Sequence, residues 1–414
     1  MTASIKLNHL KDRLIEFILI TSISYNFFLS IINNHLININ SMTLYALEAL
    51  LIFFSFVIMT LSIEKSKFFW IISGLLFVLL IDCTRISFGI EINLKFFRDV
   101  LIEFAFIGLG LSYKRSIRKF LKFIMTIAII ISLISFFEIF FTSTYEDIVN
   151  PKGYYINTKN FKENDFWNVK SKLFISATRP NERFLSKSLS LPRASAFFLE
   201  PVTLGNFIIL FLTLFISFKN YVSRNLFFCA IALSFFLIFA SDSRLTFFTM
   251  IFMMAIYPII RLLKKDFSVF IVFFAITGSI IFYHLTKEYH YQDNFVGRVN
   301  YSIGVIQNLS LKSLIGLDQT MKDSYWDSGI AYMIVAHSLF FLLFNLFFYM
   351  FVLRSSNLNI NIFRNISLTV IIFSLFVSNS FFSIKTASLW WFSFGLCWGL
   401  GEKINLEKND YSYS

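Results

Sequence analysis

Residues Phe120–Phe141 read FLKFIMTIAIIISLISFFEIFF, and this stretch decides the fold class. Its charges are only Lys122 near one end and Glu138 near the other. A helix rising about 1.5 Å per residue crosses a hydrocarbon core of about 30 Å in about twenty residues. It also satisfies its own backbone hydrogen bonds, as a lipid environment demands. Apolar runs of 16 to 25 residues recur from one end of the chain to the other. The 414 residues are 57% hydrophobic, 19% aromatic and 15% charged, with a mean hydropathy of +0.69. A soluble domain does not carry that much apolar surface. No series of strands with alternating polarity is present, so a barrel is excluded and an all-α, polytopic helical membrane protein is expected.

Twelve transmembrane spans are predicted: Leu14–Ile32, Met42–Ile63, Phe68–Cys83, Phe97–Leu111, Phe120–Phe141, Val202–Phe218, Leu226–Ala240, Leu245–Ile260, Phe267–Phe282, Gly329–Leu353, Ile366–Phe382 and Ala387–Leu400. They make residues 1–414 a single integral membrane domain, with two long loops at 142–201 and 283–328. Lys6, Lys11 and Arg13 precede the first run and no small-residue cleavage site follows it, so it reads as an uncleaved span. With both termini cytoplasmic, inner segments hold 19 of the 37 basic residues and short outer loops hold 5. The two long loops then face outward, where long loops translocate largely regardless of charge. Their aromatic residues, among them Tyr154, Tyr155, Phe161 and Trp167, predict partial order there.

The net charge of +12 is scattered among membrane loops. Topology, anionic lipid and substrate phosphate account for it better than nucleic acid does. Cys83, Cys229 and Cys397 stand at unrelated spacings and suggest neither a metal cluster nor a disulfide framework. No glycine-rich nucleotide loop is present, so neither ATP nor another cofactor is implied.

Charges at the mouth of a membrane span are costly and mark candidate sites. Leu191–Pro201 carries two, Arg193 and Glu200, where the longer loop meets a span. Pro192 suits a helix start and Pro201 discourages helix at Glu200, so a two-turn helix is predicted between them. It would place an anion-binding arginine and a general base on one face, about 10 Å apart. The blander reading is an interfacial ion pair and a snorkelling arginine. Ser241-Asp242-Ser243-Arg244 is expected to cap a helix from Leu245, where free N–H groups and Arg244 would receive a phosphate. Its plain alternative is a capped turn with Asp242 neutralising Arg244. In the second loop Arg298 is a further cation and Asp327, at a span entry, a second candidate acid or base; helix capping is its alternative. His337 reads as a packing residue more than a base. Asp99 and Glu103, one turn apart, are expected to pair with Arg98 or with a base on another helix, and Glu48 and Glu138 to behave alike.

The order of these short motifs over residues 190–345 resembles that of bacterial O-antigen and capsule polymerases. Arg193, then Phe197-Phe198-Leu199-Glu200-Pro201 and Gly205, resembles their arginine, "F-x-E-P" and glycine. Ser241–Arg244 resembles their S-x-S-R turn. Arg298 with Leu314-Ile315-Gly316, and Asp327-Ser328-Gly329, resemble their later elements; the glycine expected after Gly316 is missing. The resemblance implies a glycosyltransferase of the bacterial inner membrane. It would join oligosaccharide repeat units carried on undecaprenyl diphosphate at the periplasmic face, beside a regulator of chain length. It implies Arg193, Arg244 and Arg298 on the diphosphate and Glu200, ahead of Asp327, as base. O-antigen ligases, which transfer glycan to lipid A-core, commonly have a histidine and a polar residue where this chain has Asp327-Ser328, which favours the polymerase. A flippase or other transporter of lipid-linked oligosaccharide is the alternative from another class.

Overall fold

The computed structural model describes residues 2–178, 183–185, 191–263, 267–286, 295–318, 328–378 and 380–411. Among them every regular element is helical. In chain order they are α1 (Thr2–His35), α2 (Ser41–Thr60), α3 (Lys65–Ser87), α4 (Leu94–Ser112), α5 (Ile117–Phe140), α6 (Thr142–Val149), α7 (Pro151–Lys159), α8 (Pro201–Ser217) and α9 (Arg224–Ser241). There follow α10 (Arg244–Leu263), α11 (Phe267–Thr286), α12 (Phe295–Gln307), α13 (Leu311–Leu314), α14 (Gly329–His337), α15 (Leu339–Phe347), α16 (Leu358–Val377) and α17 (Ile384–Tyr411).

Eight of these helices are long and apolar enough to cross a membrane, or nine if α14 and α15 form one span. The chain is thus a multi-pass helical membrane protein by length and composition. The remaining expected spans fall on α4, which carries Lys95, Arg98, Asp99 and Glu103, on α8, which is only 17 residues long, and on α17, diluted by Trp, Ser and Gly. Phenylalanine supplies much of the outward surface: Phe53, Phe69, Phe228, Phe248, Phe273 and Phe274 are all more than half exposed. In water such patches would aggregate; against acyl chains they are the favourable surface.

Two compact units divide the described chain. Unit 1 comprises residues 1–55, 113–254 and 384–389, and unit 2 residues 56–112, 255–383 and 390–414. In unit 1, α8 lies buried against α9 and α5. Gly205 on α8 has no room for a Cβ beside the Thr246 and Ser243 side chains, so α8 and the start of α10 come close only because that residue lacks one. The expected loop at 142–201 is substantially ordered. Asn150, at φ 46°, ends α6 and caps α7, with Pro151 in the first turn of α7. Tyr145, Val149, Tyr154, Tyr155, Leu173 and Leu199 then pack into one small core.

In unit 2, α16 is buried along nearly its whole length, among α11, α12 and α14. Gly110 and Gly395 let the α4 backbone meet that of residues 390–401 of α17, with backbone atoms where either Cβ would stand. The span predicted at Gly329–Leu353 is not straight. α14 and the helix from Leu339 to Val352 meet at 111°. Ser338, at φ 82°, makes the break, and its hydroxyl accepts from the Phe341 amide to start the second arm. Arg85, buried on α3, donates to the freed Val335 and Ala336 carbonyls at 3.1 and 2.6 Å and to Gly316 at 2.7 Å. Asp82 neutralises it at 2.9 Å. Irregular backbone at membrane depth needs such internal partners.

Candidate functional site

Residues 191–200 do not form the predicted helix. Residues 191–195 carry no regular structure, Ala196–Phe198 make a single 3-10 turn, and α8 begins at Pro201 with Glu200 at its cap. Competing hydrogen bonds explain the difference. The Arg193 and Ala194 amides are taken by the Ala177 and Ala240 carbonyls at 3.1 and 2.9 Å. Glu138, fully buried at the end of α5, accepts from the Ser195 amide at 2.8 Å, the Ser195 hydroxyl at 2.6 Å and the Ala196 amide at 2.7 Å. A carboxylate receiving three donors holds its segment better than two helical turns would. The price is left-handed backbone at Ala196 (φ 47°) and Leu199 (φ 59°), strain of the sort that clusters at functional segments. Glu138 was expected to pair with a base; it instead shapes the segment between Arg193 and Glu200.

Arg193, half-buried, lies across the turn after α9. Its guanidinium donates to the Ser241, Ser176 and Asp242 carbonyls at 3.0, 3.1 and 3.1 Å. It therefore fastens this turn, whatever else it binds. The turn itself differs from the expected cap: Asp242 is left-handed, at φ 47°, and closes α9. Its carboxylate accepts from the Phe184 and Leu185 amides, both at 2.9 Å, so it holds residues 184–185 and does not neutralise Arg244. Arg183 donates to the Phe239, Ala240 and Pro192 carbonyls. Burial pulls its guanidinium below the usual range, with the Asp242 charge opposing.

Arg244 is different. It is exposed at the first position of α10, its guanidinium 5.7 Å from the Phe184 ring, and among the described residues no carboxylate reaches it. An exposed cation of this kind at the first turn of a helix is equipped to receive an anion.

Glu200 is not a solitary base. Lys385, at the start of α17, stands 2.5 Å from its carboxylate. The Tyr155 hydroxyl of α7 donates to it at 2.9 Å and Thr203 at 3.1 Å. Lys385 also reaches the Tyr155 oxygen at 3.0 Å and the Phe198 carbonyl at 3.4 Å. Burial opposes the Glu200 charge, but Lys385 and these donors outweigh it and hold the carboxyl below its ordinary range. Burial, and then the Glu200 charge, push the Tyr155 hydroxyl well above its usual value, so it remains a donor.

Arg193, Glu200 and Arg244 thus belong to unit 1. Arg298 belongs to unit 2, on α12, with its guanidinium on the Val377 carbonyl at 3.1 Å. Asp327 lies outside the described residues. Lys385 escapes sequence reading because it is one lysine before an apolar run, with no motif around it. Glu138 was visible as a charge inside a span, but not its partners, which lie 57 and 58 residues away. Among the described residues no cluster of His, Cys, Asp and Glu could hold a metal.

No protein-family model, curated protein or solved structure matches the chain.

Proposed function

We propose that the protein is a glycosyltransferase that polymerises oligosaccharide repeat units carried on undecaprenyl diphosphate, for O antigen or capsule, at the periplasmic face of a bacterial inner membrane. The single observation that carries this reading is Arg244, an exposed arginine that no carboxylate reaches among the described residues, at a helix start fastened by Arg193. A diphosphate is the anion that suits it. The ordered motifs of residues 190–345 support the same substrate. A twelve-span topology with both termini cytoplasmic, with α4, α8 and α17 completing the count, belongs to this proposal.

The acceptor hydroxyl attacks the anomeric carbon of the donor glycan, and the bond from that carbon to the lipid diphosphate breaks. Arg244 stabilises charge on the departing diphosphate, with Arg193 holding the turn beneath. The hydroxyl proton passes to the Glu200 carboxylate. Lys385 makes Glu200 a weaker base while it stays paired, so the role requires that pair to loosen as the acceptor enters. The leaving group travels with the donor, and the reaction draws on no nucleotide.

One observation favours a second reading. A bent, internally broken span with buried charges beside it is a frequent device of transporters. Purified protein in liposomes with lipid-linked repeat units separates the two. Lengthening of the glycan, lost in Arg244→Ala, is expected; translocation without lengthening would sink the proposal. A strain lacking the gene separates polymerase from ligase: core plus one repeat unit for the former, bare core with accumulated lipid-linked polymer for the latter.

A further inference from the structure

α4 of unit 2 carries two carboxylates one turn apart, both buried, and their surroundings differ. Asp99 has a cation: Arg98 is 2.8 Å away, and the Tyr332 hydroxyl donates at 2.5 Å. Glu103, only 5% exposed, has none. Its two oxygens accept from the Tyr349 hydroxyl at 2.5 Å and from the Asn345 side-chain amide at 3.2 Å, both neutral donors. Among the described residues no basic group reaches this carboxylate, contrary to the pairing expected from sequence.

The basic groups on the elements packed around it are engaged elsewhere. On α3, Arg85 serves Asp82 and three carbonyls, and Lys67 pairs with Glu64 at 3.2 Å. On α4 itself Lys95 stands over the Tyr332 ring. Arg364 on α16 donates to the Met350 carbonyl, Ser268 and Asn365. Residues 390–401 of α17 carry no charge, and Trp391 and Phe394 pack on Tyr349. Among the described residues Tyr349 is therefore the one titratable group that hydrogen-bonds Glu103.

A lone carboxylate in so apolar a place, with two neutral hydrogen bonds, carries a charge the interior does not tolerate uncompensated. A second observation lies in the same place. Asn345 is 4% exposed, and among the described residues its amide oxygen has no hydrogen-bond partner. A half-turn of that amide puts the oxygen where the nitrogen now faces Glu103. Tyr349 sits in the π-helical turn Phe348–Val352, and such widened turns recur at functional positions.

We propose that the Glu103 carboxyl, the Asn345 amide oxygen and the Tyr349 hydroxyl form a binding site for one exchangeable monovalent cation, a proton or a sodium-sized ion. The positive charge sits between Glu103 and the Asn345 oxygen while Tyr349 holds the second carboxylate oxygen. Because Asn345 and Tyr349 belong to the second arm of the bent span, occupancy ties that arm to α4. The site stands independently of the glycosyl-transfer reading.

Infrared spectra of the purified full chain in lipid nanodiscs, wild type minus Glu103→Gln, test it at neutral pH with and without sodium chloride. A protonated-carboxyl band indifferent to sodium identifies the proton. Carboxylate bands that shift with sodium, and not with an equal concentration of a bulky organic cation, identify the ion. Carboxylate bands unmoved by either sodium or pH show an ionised, unoccupied Glu103 and overturn the proposal. If Glu103→Gln does not accumulate, Asn345→Ala against wild type serves instead: loss of the oxygen must shift the Glu103 band, and an unshifted band overturns the assignment equally.

Discussion

Replacing Lys385 with alanine should destabilise unit 1 through Glu200, and the pair's geometry sets the size. The side chains are 10% and 26% exposed, so the contact lies between a surface pair and a fully buried one. Surface pairs contribute up to about 1 kcal/mol, and breaking a buried pair costs about 3–5 kcal/mol. About 2 kcal/mol is expected for Lys385→Ala, a few degrees in Tm. Glu200→Gln should cost less, because Tyr155 and Thr203 still donate to the amide oxygen. Thermal unfolding of wild type, both single variants and the double variant in one detergent closes a cycle, with an expected coupling of about 1–2 kcal/mol. The acid limb gives a second reading. Glu200 titrates lower in the folded protein than in the unfolded chain, where a glutamate titrates near about 4.3. The pair's contribution is therefore fully present above that value and lost as pH falls through the folded value. Glu200→Gln should flatten that acid-side loss. Additive single effects, agreeing within about 0.5 kcal/mol, would refute the reasoning.

Arg244→Ala should leave Tm unchanged within about 0.5 kcal/mol, since its side chain is exposed, while abolishing glycan lengthening in the liposome assay. Arg193→Ala should instead reduce accumulation. It strands the Ser176, Ser241 and Asp242 carbonyls at about 1–3 kcal/mol for each that water cannot reach, which thermal unfolding reads directly. Glu138→Leu removes the acceptor of three donors and should cost about 3 kcal/mol or more in the same measurement, and Glu138→Gln should recover part of it. Arg85→Met frees the carbonyls at the Ser338 break and leaves Asp82 unpaired, so a loss of about 3–5 kcal/mol is expected in thermal unfolding.

The membrane-spanning character was legible in sequence because hydrophobic length is a local quantity. Eight of the twelve expected spans land on helices long and apolar enough to cross a membrane, from α1 through the Phe120–Phe141 stretch to α16. Charges near the ends of those runs were also visible, and Arg193, Glu200 and Arg244 were found that way. Their partners were not. The Leu191–Pro201 segment looked helical from its two prolines, yet Glu138 and the Ala177 and Ala240 carbonyls hold it open. The bend at Ser338 escaped for a related reason: only His337 and Ser338 interrupt a long apolar run there, and the arginine that makes the bend tolerable stands about 250 residues earlier.

By itself the sequence determined that the chain is helical, apolar and multi-pass, because composition and run length decide whether a backbone can lie in lipid. Tertiary structure alone decided how each buried charge is met. Glu200 received a lysine from the last helix, Glu138 a set of backbone amides and Glu103 two neutral donors. A carboxylate has the same sequence signature in all three places. What it can do depends on which distant donor or cation the fold brings within about 3 Å.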